Sequence, residues 1–127
     1  MNDHRPHILM VEDDPIVSLQ IKRILEKNYS VDHASGYDEA FSFLQSDKID
    51  LILLDINLGF DSLGGVELLG HIREDSRFDN IKIFAVTSEP LDEVQGNFLV
   101  GGFDRYISKP VQKEELLGAI NEALLQR

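Results

Sequence analysis

Four short stretches of this chain set oxygen- and nitrogen-bearing side chains directly after strand-like segments, three of them apolar runs. Glu12-Asp13-Asp14 follows "HILMV", Asp55 follows "DLILL", Thr87-Ser88 follows "IKIFAV", and Lys109-Pro110 follows "DRYIS". A carboxylate closing an apolar strand loses hydration, so its presence there asks for a use. Clustered carboxylates suit a hard divalent cation, Mg²⁺ before others. An ammonium such as Lys109 supplies a point positive charge to a phosphoryl oxygen, and the Thr87 hydroxyl can donate to another. A carboxylate beside the cation can attack phosphorus and form an aspartyl phosphate. The transferred group spreads its charge over three oxygens, so positioning and neutralisation do most of the catalysis. Mg²⁺, Thr87 and Lys109 together match those three oxygens. Asp55 ends the most continuously apolar run, which makes it the best-held nucleophile.

These groups can act together only if the fold gathers the four strand ends. Apolar runs at 7–11, 49–54 and 81–86, with the short segments "SVDHA" at 30–34 and "DRYIS" at 104–108, predict five strands. Helical spacing of apolar residues predicts helices at 15–27, 37–46, 65–75, 91–100 and 113–126. The fourth of these is weakened by Gly96, at a cost of about 1 kcal/mol relative to Ala. Its Phe98, Leu99 and Val100 exceed what one face of a short helix buries. Five βα units in a row imply a parallel sheet with helices on both faces. The expected fold is a doubly wound, flavodoxin-like α/β domain with strand order 2-1-3-4-5. In that order every polar strand end borders one crevice at the carboxyl edge of the sheet. The second strand lies outside and ends, in Ala34-Ser35-Gly36, without a polar group of evident use.

Composition bounds the class. A chain of 127 residues suits one domain with a proper core. Residues 1–6 read as a flexible N-terminal tail and 7–127 as the domain. No apolar run approaches the roughly 18–20 residues that cross a bilayer, so membrane insertion is not expected. The formal charge of −11 argues against direct contact with nucleic-acid phosphates. The absence of cysteine excludes disulfides and thiolate metal sites and fits a cytoplasmic location. The four histidines, at 4, 7, 33 and 71, show no ligand-like spacing.

The blocks "HILMVEDDP", "DLILLDINL", "FAVTS" and "YISKP" resemble, in order and spacing, the signature blocks of response-regulator receiver domains. The resemblance covers roughly residues 7–126 and points to two-component signalling, in the style of a single chemotaxis-type receiver. By that resemblance Glu12 and Asp13 hold Mg²⁺ with Asp55, and Asn57 offers the metal its backbone carbonyl. Asp55 is the phosphoacceptor, Thr87 closes on the phosphoryl group, Lys109 is its counter-ion, and Tyr106 is the aromatic that follows phosphorylation. Lys109-Pro110 matches a position usually cis in the family. The implied partners are a sensor histidine kinase or a phosphotransfer protein and a downstream protein target reached through the helix 4–strand 5–helix 5 face. The resemblance allows a phosphorylation-dependent dimer. It departs at Gly59, where many receivers carry proline, and "GFDSLGGVEL" reads about two residues longer than the commonest form. That leaves the path of the loop 58–65 open.

Two other classes compete with a phosphorylation switch. An enzyme of the haloacid-dehalogenase type also uses an aspartate after a buried strand. It wants a second aspartate two residues on, where this chain has Asn57. A degenerate receiver acting as a constitutive interaction module usually loses an acidic ligand, the acceptor or the lysine, and this chain keeps all of them. The chain therefore reads as a signalling switch that assists only its own phosphorylation and dephosphorylation. Its converging carboxylates predict at least one pKa raised by like charge and desolvation.

Overall fold

The computed structural model describes residues 5–56, 62–88 and 103–125. Five strands form one parallel sheet: β1 (His7–Val11), β2 (Ser30–Ala34), β3 (Leu51–Asp55), β4 (Lys82–Thr87) and β5 (Arg105–Ser108). Their order is β2-β1-β3-β4-β5, the expected one, and it brings the polar strand ends to one edge of the sheet. Helices α1 (Pro15–Leu25), α2 (Tyr37–Ser46), α3 (Ser62–Glu74) and a C-terminal helix (Lys113–Leu125) cover the sheet, with a short 3₁₀ turn at Ser76–Phe78.

Side-chain alternation along the strands divides the core in two. Leu9, Val11, Ile52, Leu54 and Ile83 face one side, where Ala40 and Leu44 of α2 and Leu68, Leu69 and Ile72 of α3 meet them. Ile8, Met10, Leu51, Leu53, Phe84 and Val86 face the other, against Ile21 and Leu25 of α1 and Leu116, Ala119 and Ile120 of the C-terminal helix. Both faces are covered, so the three central strands β1, β3 and β4 are apolar almost throughout, whereas the edge strands β2 and β5 carry polar residues. Truncating any of these buried Leu or Ile side chains to Ala costs about 2–5 kcal/mol.

Local chemistry sets the element ends. Asp14 caps α1, its Oδ1 accepting from the N–H groups of Ile16 at 2.8 Å and Val17 at 3.3 Å, with Pro15 in the first turn. α1 stops at Leu25, two residues short of the expected end. β3 begins at Leu51 rather than Ile49. Before it, Asp50 clasps the start of β1: its N–H donates to the His7 carbonyl at 2.9 Å, and its Oδ2 accepts from the His7 N–H at 2.8 Å. α3 begins at Ser62, three residues before the expected start, and so includes Gly64 and Gly65. Each glycine disfavours a helix by about 1 kcal/mol, and burial of Leu68, Leu69 and Ile72 further along offsets this. Asn57, the loop 58–61, the expected helix at 91–100 with Phe98, Leu99 and Val100, and residues 1–4 of the expected tail lie outside the described residues. No helix among the described residues is long and apolar enough to cross a membrane.

Candidate functional site

Adjacent strands bring the acids together. β1 and β3 share their last rung at Val11–Leu54, so Glu12 and Asp55 leave the sheet side by side. Glu12 is 1% exposed and Asp55 2%, whereas Asp13 lies at the exposed mouth. Carboxylate oxygens of Glu12, Asp13 and Asp55 lie within 4.8 Å of one another. Thr87, fully buried, ends β4 one residue beyond the Asp55–Val86 rung. Its carbonyl accepts the Lys109 N–H at 2.8 Å, which fixes the root of the lysine beside the crevice. From there the Lys109 ammonium reaches Glu12 Oε2 at 3.1 Å and Asp55 Oδ2 at 3.2 Å. The Lys109–Pro110 peptide is cis.

The electrostatics follow from burial. Desolvation pushes the Glu12 carboxyl up from its ordinary 4.5 to about 7. A side-chain hydrogen bond to Asp55 and the charge of Asp55 push the same way, while Lys109 opposes. Burial by itself would lower the Lys109 pKa, yet the Asp55 charge and the Glu12 carboxylate outweigh it, and the ammonium is held above its usual range. The raised carboxyl expected of the cluster is therefore that of Glu12. Three oxygen donors, two of them buried beside a single ammonium, form a donor set that fits a hard divalent cation such as Mg²⁺.

Tyr106 stands on β5, half-buried, its ring centroid 5.7 Å from that of Phe103. Both rings pack on Ile56 and Ala85, next to the crevice. Burial raises the Tyr106 pKa. Asn57, the remaining candidate, lies outside the described residues.

Two further polar groups, outside the expected set, reach the main chain of the site from β2 and α2. His33 Nε2 lies 2.6 Å from the Glu12 carbonyl, and the Tyr37 hydroxyl donates to the Asp55 carbonyl at 3.3 Å. Sequence patterns cannot announce such bonds, because their acceptors are main-chain atoms.

A doubly wound sheet carrying an acidic pair, a strand-end aspartate and a lysine in one crevice defines a class of protein, and the comparisons name it. The chain belongs to the response regulator receiver domain family, whose model matches residues 8–121. It is 36% identical over 114 residues to the transcriptional regulatory protein DltR of Streptococcus agalactiae (serotype III, strain NEM316), covering 89% of this chain and 49% of that protein. It is 30% identical over 125 residues to the nitrate/nitrite response regulator protein NarL of Escherichia coli (strain K12), covering 96% of this chain and 56% of the other. The chain thus spans about half the length of these two regulators. Against the Hybrid signal transduction histidine kinase D of Dictyostelium discoideum, to which it is 30% identical, it spans 7%. A response regulator from Thermotoga maritima superposes with a TM-score of 0.81 at 30% identity, covering 94% of this chain and 98% of that one. A CheY-like receiver domain protein from Methanospirillum hungatei JF-1 gives 0.81 at 32% identity, covering 96% and 95%.

Proposed function

We propose that this receiver domain, residues 7–127, is a phosphorylation-activated switch of a two-component or phosphorelay system that works in the cytoplasm. Asp55 accepts a phosphoryl group from a histidine kinase or a phosphotransfer protein. The Asp55 carboxylate attacks phosphorus, the O–P bond forms as the donor's N–P bond breaks, and the donor imidazole leaves. Glu12, Asp13 and Asp55 would hold Mg²⁺, joined by the Asn57 carbonyl on the family's pattern. Mg²⁺ when bound neutralises charge on the phosphoryl oxygens. Lys109, already between Glu12 and Asp55, turns its ammonium to the transferred group. Thr87 donates its hydroxyl to another oxygen of that group. The carrying observation is the contact of one ammonium with both buried carboxylates at 3.1 and 3.2 Å, beside the exposed Asp13.

Signal output belongs to the face built around β5 and the C-terminal helix. Phosphorylation biases two packings of that face through contacts made in only one of them. Thr87 moves toward the phosphoryl group and Tyr106 turns inward, which changes the surface offered to a downstream protein or to a second copy of the domain.

The test is incubation with acetyl phosphate and Mg²⁺, followed by borohydride trapping and peptide mapping. The expected label is on Asp55 alone, and it disappears in Asp55→Asn. Label that persists in that variant at an unrelated residue overturns the reading. Turnover of free phosphate esters would move the protein to the haloacid-dehalogenase class.

A further inference from the structure

The acidic crevice is braced from its β2 side at two main-chain atoms. His33 Nε2 sits 2.6 Å from the carbonyl oxygen of Glu12. The Tyr37 hydroxyl sits 3.3 Å from the carbonyl oxygen of Asp55. A carbonyl only accepts, so the imidazole carries its proton on Nε2 and donates, as does the phenol.

Both acceptors lie where the sheet runs out of rungs. β1 and β2 pair as far as Val11–Ala34, and the Glu12 N–H still reaches the Ala34 carbonyl at 2.9 Å. The Glu12 carbonyl is the next acceptor along, and His33 meets it with a side chain. On β3 the Ile56 N–H donates to the Val86 carbonyl at 3.2 Å. The Asp55 C=O belongs to that same planar trans peptide, in which C=O and N–H point in opposite directions. It therefore faces away from β4, to the side where the β1 ladder ended at Val11–Leu54. Tyr37, the first residue of α2, reaches it there. The two side chains extend the ladder by one rung each, beneath the two buried carboxylates.

The hydroxyl of Tyr37 is not required for packing. Its ring packs on the apolar core between the sheet and helices α2 and α3, which a phenylalanine ring would serve equally. His33 is exposed on an edge strand, where a non-polar contact gains little. Each polar group is thus directed at a carbonyl whose residue bears a site carboxylate. Each bond anchors the main chain at a residue that bears a site carboxylate, and a shift of that residue's Cα would carry the carboxylate with it.

We infer that His33 and Tyr37 are positioning residues that hold the carboxylates of Glu12 and Asp55 in place to receive the divalent cation and the phosphoryl group. The role in phosphoryl transfer rests on the function proposed above; the bracing of the carbonyls does not.

The experiment uses the whole chain with Tyr37→Phe, His33→Ala and His33→Gln. Three quantities are read: the carbonyl ¹³C shifts of Glu12 and Asp55 without metal, the Mg²⁺ dissociation constant, and the rate of Asp55 labelling by acetyl phosphate. Loss of one neutral hydrogen bond predicts Mg²⁺ binding about three- to tenfold weaker in Tyr37→Phe and in His33→Ala. The Asp55 carbonyl shift moves in the first and the Glu12 shift in the second, and labelling then needs more Mg²⁺. His33→Gln keeps an N–H donor and returns binding toward wild type. Mg²⁺ constants that stay within about twofold of wild type in both loss variants, less than the loss of one such bond produces, overturn the inference. So does a loss in His33→Ala that His33→Gln leaves uncorrected. If wild-type Asp55 takes no phosphoryl group, the proposed function fails, while the carbonyl shifts and Mg²⁺ constants still decide the bracing.

Discussion

The Lys109 ammonium stands 3.1 Å from Glu12 and 3.2 Å from Asp55, so one cation is shared between two buried carboxylates. Ionisation of both acids leaves a net negative charge in a desolvated crevice, and Glu12 responds by holding its proton to about pH 7.

The stability of the metal-free protein should depend on this proton. The Glu12 carboxyl titrates near 4.5 when unfolded and about 7 when folded, so between those values the native state binds more protons. Stability then falls as pH rises through that window and levels above it, by an amount on the order of a few kcal/mol. Urea unfolding in chelator at pH 5 and pH 8 measures it. Glu12→Gln should flatten the slope; a difference between the two proteins that does not vary with pH would show that Glu12 is not the group responsible.

Lys109→Met should destabilise the metal-free protein by about 3 kcal/mol at pH 8, because it strands two buried carboxylates. The loss should shrink toward pH 5, where Glu12 is already neutral. Equal losses at both pH values would mean that the lysine acts through its aliphatic stem.

Mg²⁺ binding to the native crevice should stabilise it by about 2.7 kcal/mol at a hundredfold excess over the dissociation constant. Asp13 adds a third carboxylate within 4.8 Å of Glu12 and Asp55, so Asp13→Asn should stabilise the metal-free protein by relieving like-charge repulsion. The same variant should remove most of the Mg²⁺ gain. Thermal unfolding with and without Mg²⁺ at fixed ionic strength checks both halves.

Beryllofluoride, a phosphoryl mimic, should shift amide resonances mainly across residues 87–112. Phe103 touches Tyr106, so Phe103→Ala should spread the Tyr106 signals or displace them before the mimic is added. Shifts confined to residues 13, 55 and 57 would show that the crevice and the β5 face are uncoupled.

The layout of the crevice was legible because it is written in side chains at strand ends. Glu12, Asp13, Asp55, Thr87 and Lys109 each lie at the end of a strand, and the order β2-β1-β3-β4-β5 puts those ends side by side. His33 and Tyr37 escaped notice for the opposite reason. Their partners are carbonyls, which every residue has, and the peptide orientation that exposes them is set by where the ladder stops. The start of α3 was misread because Gly64 and Gly65 favour a loop locally. The helix there is supported by tertiary burial further along, at Leu68, Leu69 and Ile72. Asp50 was read as part of a strand, but its carboxylate holds the His7 N–H and ends the regular pattern.

The sheet also acts as a partition. Leu9 and Leu54 pack with α2 and α3, whereas Met10 and Leu53, their immediate chain neighbours, pack with α1 and the C-terminal helix. Substitutions confined to one half-core share cavities and neighbours, and their energies should fail to add. A pair split across the sheet, such as Leu54→Ala with Ile120→Val, shares no side-chain contact and should add within about 0.5 kcal/mol. The two sides of the domain are therefore free to drift in sequence almost independently, with the backbone of the five strands as their common boundary.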